Sequence, residues 1–363
     1  MIVLFFQFSF SQYFEWVDNP VIVYDSNPDL INYVVLADNA NSVYLAGFKD
    51  TAFNYGGIYG TAYYRKYNSS GNLLFTNTIL GKISIINMVA DNDNNILVSV
   101  SFVTSITINN QTFNAINTNE NQAIIKFDIN GNLIWFKNIT ETIGDYGPIH
   151  ALTTDNFNTI YIGYDNFNNS YITKFDALGT NLSTIVQNHV NVISSIAVDD
   201  LGNIYSAGGC AASNATFAGV SANPNMTYST YATKYNSSGV HQWTRFVQDI
   251  TCSNPIIIAK NQDNVYFSSK LFGFYTFGSL TASGISSSSQ GDFFISKLNS
   301  NGIFQWVQEV PGTGSSNVFP GKNKFLNVDV EGNVVFVGKT KGTINWATNF
   351  LHQHLEIIMM DCF

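Results

Sequence analysis

The chain has 363 residues and a formal net charge of −9, with only 11% charged residues against 15% aromatic. Two arginines, Arg65 and Arg245, and the lack of any basic run exclude a polyanion-binding surface, because nucleic-acid affinity rests on Lys and Arg displacing counterions. About one residue in eight is Asn, and Tyr, Phe, Ile, Val, Ser, Thr and Gly supply much of the rest, a mix for strands and turns rather than long helices.

Residues 1–12, MIVLFFQFSFSQ, read as the hydrophobic and cleavage regions of a secretory signal peptide without its basic n-region. The start is then either truncated or further upstream; the alternative is a buried strand over Ile2 to Phe10. The stretch is too short to span a bilayer, and no other segment reads as transmembrane. The expected address is secreted or cell surface.

Residues 13–363 read as one repeat domain. Tyr13 to Val17, YFEWV, is an orphan strand. Six units follow, roughly at residues 33–78, 86–140, 149–187, 192–248, 254–310 and 324–363. Each opens with an apolar strand ending in Asp, at Asp38, Asp91, Asp155, Asp199 and Asp329, with Lys260 in the fifth unit. A tight turn, a second strand and a longer polar connection come next. A third strand then carries Lys66, Lys126, Lys174, Lys234 or Lys297, followed by a Gly-containing turn and an aromatic on a fourth strand. The aromatics are Phe75, Trp135, Trp243 and Trp306, and the third unit has Ser183 instead.

Four antiparallel strands per repeat predict an all-β, six-bladed β-propeller. The sixth unit lacks a fourth strand, and its candidate third strand, Leu355 to Met360, has Met359 for Lys. Trp16 matches the other fourth-strand aromatics, so Tyr13 to Val17 is expected to complete that blade and close the ring. The rival reading is a fragment of a seven-bladed propeller. The repeating Asp and Lys are expected to bond neighbouring turns as surface pairs worth ~0–1 kcal/mol each. The repeating Trp is expected to pack between blades.

Short turns gather on one face and variable connections on the other, which is the expected binding face. Its loops are 47–61, 101–121, 208–230, 269–292 and 339–354. Their aromatics Tyr55, Tyr59, Phe272, Phe274 and Tyr275 are the expected contacts. Asp145, Asp249 and Glu309, in passages between units, are the carboxylates available for acid/base work on a glycan. Asp91 to Asn95 resembles a calcium loop, but Ile96 and Phe102 stand where Gly and Glu are required. His352, His354 and Glu356 could face together on a strand; an irregular loop is the plainer reading, and no metal or cofactor is expected. Cys210 and Cys252 fall at the junction of the fourth and fifth units, where either a disulfide or two unrelated buried thiols fits.

The phrases D-x-x-G-N-x-Y at Asp199 to Tyr205, K-x-[ND]-x-x-G-x-x-x-W at Lys126, Lys234 and Lys297, and YTFGSLTASG at Tyr275 to Gly284 resemble the bacterial β-propeller repeat family. Its members are the secreted SBBP-type repeat proteins of Bacteroidetes-like bacteria. The resemblance implies an extracellular, calcium-independent binding or structural module, fused within a larger surface protein, with no shared catalytic residues. Ser183, Lys260 and Met359 depart from the pattern. The expected function is therefore non-enzymatic binding, adhesion or scaffolding toward a protein or glycan. The alternative is a glycan-processing or lyase-type enzyme using the three acids above.

Overall fold

The structure is a computed structural model that describes residues 34–48, 52–54, 57–144, 147, 149–210, 213–222, 229–248, 255–271, 274–283, 292–310, 317–320, 325–329, 332–341 and 355–359. Nearly all of these lie in antiparallel strands. The fourth unit shows the repeat in full: Val192–Val198, Ile204–Cys210, Ser229–Tyr235 and His241–Gln248 pair in that order. The fifth unit repeats it with Ile256–Asn261, Asn264–Leu271, Asp292–Leu298 and Phe304–Val310. In the third, Ala151–Thr154, Ile160–Asp165, Ser170–Phe175 and Asn181–Asn188 do the same. The middle strands are covered on both faces: every residue of Ile160–Asp165 and of Ile204–Cys210 is buried. The first strands of successive units neighbour one another around a common cavity. This is the β-propeller arrangement.

The repeating Asp builds the first turn. In the fourth unit Asp199 Oδ1 accepts the backbone N–H groups of Leu201 and Asn203, while Oδ2 accepts the Asn203 amide and the Tyr205 hydroxyl. Such side-chain capping satisfies donors that a three-residue turn leaves open. Asp38, Asp91 and Asp155 repeat the backbone part of it.

The Lys–Gly–aromatic phrase joins one unit to the next. Lys126 Nζ and Trp135 Nε1 both donate to the Ala177 carbonyl in the following unit's second turn. Lys234 and Trp243 both donate to Ser300 in the same way. Lys66 reaches Ile129 and Lys174 reaches Ser237. The turn glycine then lies against the previous unit's aromatic: a Cβ on Gly302 (φ +70°) would stand 2.5 Å from Trp243 Cδ2. In the third unit, where Ser183 replaces the aromatic, Ile185 takes that place beneath Gly239. The expected inter-unit packing of Trp is thus present. The expected surface location of the Lys–Asp pair is corrected: Lys126 and Asp91 lie 2.8 Å apart with side chains only 7% and 0% exposed.

Three further differences from expectation are present. The first two units are not separate sheets, because Leu73–Ala90 runs unbroken as the fourth strand of one and the first strand of the next. Its sequence offers only Gly81 (φ +126°) as an interruption, which yields a register shift rather than a turn. The long connections between second and third strands are not open loops in the second, fourth and fifth units. They fold into hairpins, Thr107–Thr112 around Asn109-Asn110, Thr216–Ser221 and Phe274–Ser283; the first two pair with the outer strand of the preceding unit, and the third is a separate two-stranded sheet whose Tyr275 hydroxyl reaches the Phe246 carbonyl of that strand. Finally, Leu355–Met359 does form a strand, but pairs in parallel with Val334–Lys341 rather than antiparallel as a third blade strand would. Tyr13 to Val17 lies outside the described residues.

Candidate functional site

The cavity enclosed by the first strands has a volume of about 310 Å³ and opens on the face of the long connections. Ile86 and Asn87 of the second unit, Leu152 of the third, Ile193 and Ile196 of the fourth, Pro255 and Ile256 of the fifth, and Phe325 form its wall. Two serines on this wall are spent on holding units together. Ser194 donates to the Pro255 carbonyl, and Ser195 Oγ donates to the Ile257 carbonyl while accepting its N–H. The Asn87 amide donates to Ile149.

Among the described residues that line this cavity, His150 and Asp165 are the titratable ones. His150 enters it just before the first strand of the third unit, and Asp165 ends that unit's second strand. The imidazole Nε2 stands 3.3 Å from Asp165 Oδ2, with the histidine side chain 36% exposed and the aspartate 6%. Asp165 also accepts the backbone N–H groups of Ile193 and Phe167, both at 3.4 Å. Burial pushes the His150 pKa below its ordinary value, and the Asp165 charge opposes this only in part. The ring is therefore neutral near pH 7.

Phe167 stands at the rim, 85% exposed and with φ +65°. Its turn is pinned: Asn166 Oδ1 accepts the N–H groups of Asn168 and Asn169, and Asn169 Oδ1 accepts that of His189.

The residues expected from sequence lie elsewhere. Phe274 is exposed on the hairpin of the fifth unit, whereas Tyr275 is half-buried with its hydroxyl donated to the Phe246 carbonyl at 2.7 Å. Tyr275 borders a second hollow of about 300 Å³ shared with Arg245 and Phe304. Glu309 belongs to the outer strand Phe304–Val310, opposite Phe294 and away from the first strands. Tyr59 sits in Gly57–Tyr67 opposite Ala52. Tyr55, Asp145, Asp249, Phe272, His352, His354 and Cys252 lie outside the described residues, as does the side chain of Glu356. Cys210 is buried, its thiol 3.6 Å from the His189 carbonyl. Among the described residues no group of His, Cys, Asp and Glu is arranged to hold a metal ion. No helix among them is long and apolar enough to cross a membrane.

No protein-family model matches the chain, and no curated protein matches it. Similar solved structures include a protein of unknown function from Bacteroides caccae, 10% identical, with TM-score 0.42 over 77% of this chain and 82% of that one. The Dos1 propeller is similar at 9% identity and TM-score 0.37, over 81% of this chain and 88% of that one. The polysaccharide lyase Uly1 is 11% identical with TM-score 0.39, over 83% and 72%.

Proposed function

We propose that this chain is a non-enzymatic, extracellular binding propeller whose ligand seats at the mouth of the axial cavity, on the face of the long connections. The observation that carries this reading is the cavity itself. Its wall mixes aliphatic and aromatic side chains with Asn87, Asn191, Ser194 and Ser195, and His150 and Asp165 stand together on it. That is the general build of a small-ligand site. The ring is read as six blades closed by Tyr13 to Val17, and the extracellular address rests on the leader-like residues 1–12. Protein and glycan arrays test the binding. Binding should be lost in Ile193→Asp and His150→Ala and kept in Phe157→Ala, whose ring is exposed in a turn on the opposite face. Loss in Phe157→Ala alone would reject the face.

A second reading has one observation in its favour. A neutral imidazole held by a buried carboxylate is equipped to act as a general base. Turnover in a panel of glycan hydrolase and lyase substrates, abolished by His150→Ala, would establish it over simple binding.

A further inference from the structure

The third unit differs from its neighbours at the connection between second and third strands. The second, fourth and fifth units carry a hairpin there; the third has only the tight turn from Asp165 to Ser170. Phe167, in that turn, stands on the cavity rim. Two costs meet in this residue. A bulky side chain is held at a positive φ, which L-residues rarely adopt, and an aromatic ring is left in water. Strain of this kind concentrates at ligand sites. The hydrogen bonds of Asn166 and Asn169 hold the turn in place, so the ring is presented rather than loose.

Beside this ring on the cavity lining lies the His150 imidazole, 36% exposed. The Asp165 carboxylate already accepts N–H groups from Ile193 and Phe167 and lies 3.3 Å from His150 Nε2, so the imidazole rather than the carboxylate is the contact. A ligand that satisfies both features needs a flat C–H face for Phe167 and a hydroxyl for the imidazole. Among the described residues that line the cavity there is no Lys or Arg to neutralise an anion, and the Asp165 charge disfavours one. A bare aliphatic group would offer the imidazole no hydrogen bond. At about 310 Å³ the space sits at the low end for ligand clefts (~300–1,000 Å³), so it admits one ring rather than a chain.

Building on the reading of the axial mouth as a binding site, we propose that it takes one neutral pyranose residue of a glycan, its C–H face on Phe167 and a hydroxyl hydrogen-bonded to the His150 imidazole.

The test is saturation-transfer NMR and calorimetry on the full chain. The probes are the methyl glycosides of glucose, galactose, mannose and N-acetylglucosamine, with methyl glucuronide and butylammonium alongside. At least one neutral glycoside should bind. Phe167→Ala and His150→Ala should each weaken it by about tenfold, Phe167→Trp should retain it, and Phe157→Ala should match the wild type. Circular dichroism on each variant confirms that the fold is kept. Neutral glycosides that bind equally well to Phe167→Ala overturn the proposal, and so does the absence of binding by all of them. Binding of glucuronide or butylammonium alone, lost in Phe167→Ala, overturns the neutral-pyranose assignment while upholding the axial site.

Discussion

Removing the cation of the buried Lys126–Asp91 pair should cost far more than a surface ion pair does. In Lys126→Met the aliphatic stem is kept and the ammonium is lost. Asp91 then keeps its three N–H contacts, from Asp93, Asn95 and the Asn95 amide. It loses the one full positive charge, 2.8 Å away in a site where both side chains are under a tenth exposed. Breaking a buried pair on one side typically costs 3–5 kcal/mol, and the surviving N–H groups put the expected loss near the bottom of that range, about 3 kcal/mol. The weak bond to Ala177 at 3.5 Å adds little. In Asp91→Asn/Lys126→Met the stranded charge is gone while an acceptor for the turn remains. The double variant should therefore recover about 1–2 kcal/mol of the loss. Lys66→Met is the internal comparison, because Asp38 lies 4.0 Å from Lys66 Nζ, and its loss should be smaller. Urea unfolding followed by tryptophan fluorescence gives all four values. A loss below about 1 kcal/mol for Lys126→Met, or one equal to that of Lys66→Met, would refute the argument and return the pair to the energetics of the surface.

The other expectations concern backbone space, unit packing and pH. Gly208→Ala would place a methyl 2.0 Å from the Val192 carbonyl oxygen, so the bulge there must open; a loss of about 1–3 kcal/mol in thermal or urea unfolding is expected, and wild-type stability would disprove the close approach. Gly302→Ala meets both a positive φ and the Trp243 indole, and should destabilise more than Gly219→Ala, where φ is also positive but the space is open. Burial lowers the His150 pKa from 6.5, so below that value the unfolded chain binds more protons than the folded one. Stability from this group is complete above pH 6.5 and falls as pH drops through the folded pKa; His150→Asn should flatten that part of a urea-midpoint profile, and an unchanged slope would reject the assignment.

Much of the fold was legible in the sequence because its strongest signals are local and periodic. An Asp followed four residues later by Asn, as in Asp199 and Asn203, is a turn that caps itself. Gly302 lies three residues after Asn299 because the turn needs a positive φ there. What the phrase accomplishes between units was only partly legible. Lys126 bonds a carbonyl in the next unit, at Ala177, and that distance can be read only once the units are stacked. The continuous strand Leu73–Ala90 escaped notice because the aligned repeats imply a break between units that this stretch does not supply.

The site was harder to read for a different reason. Asp145, Asp249 and Glu309 drew attention as acids in passages between units. The pair the structure brings together is His150, at the entrance of an inner strand, and Asp165, at the exit of the next one. Neither belongs to a motif. Their proximity follows from the antiparallel pairing of Ala151–Thr154 with Ile160–Asp165, which brings the start of one strand to the end of the other. One signal was nevertheless present: DNFNNS is the connection with no room for a hairpin, and it holds an aromatic among asparagines that favour tight turns. In a repeat protein the informative residue is often the one where a repeat is shortened. There the shared architecture no longer dictates the side chain, and an exposed Phe167 at positive φ needs another reason to be present.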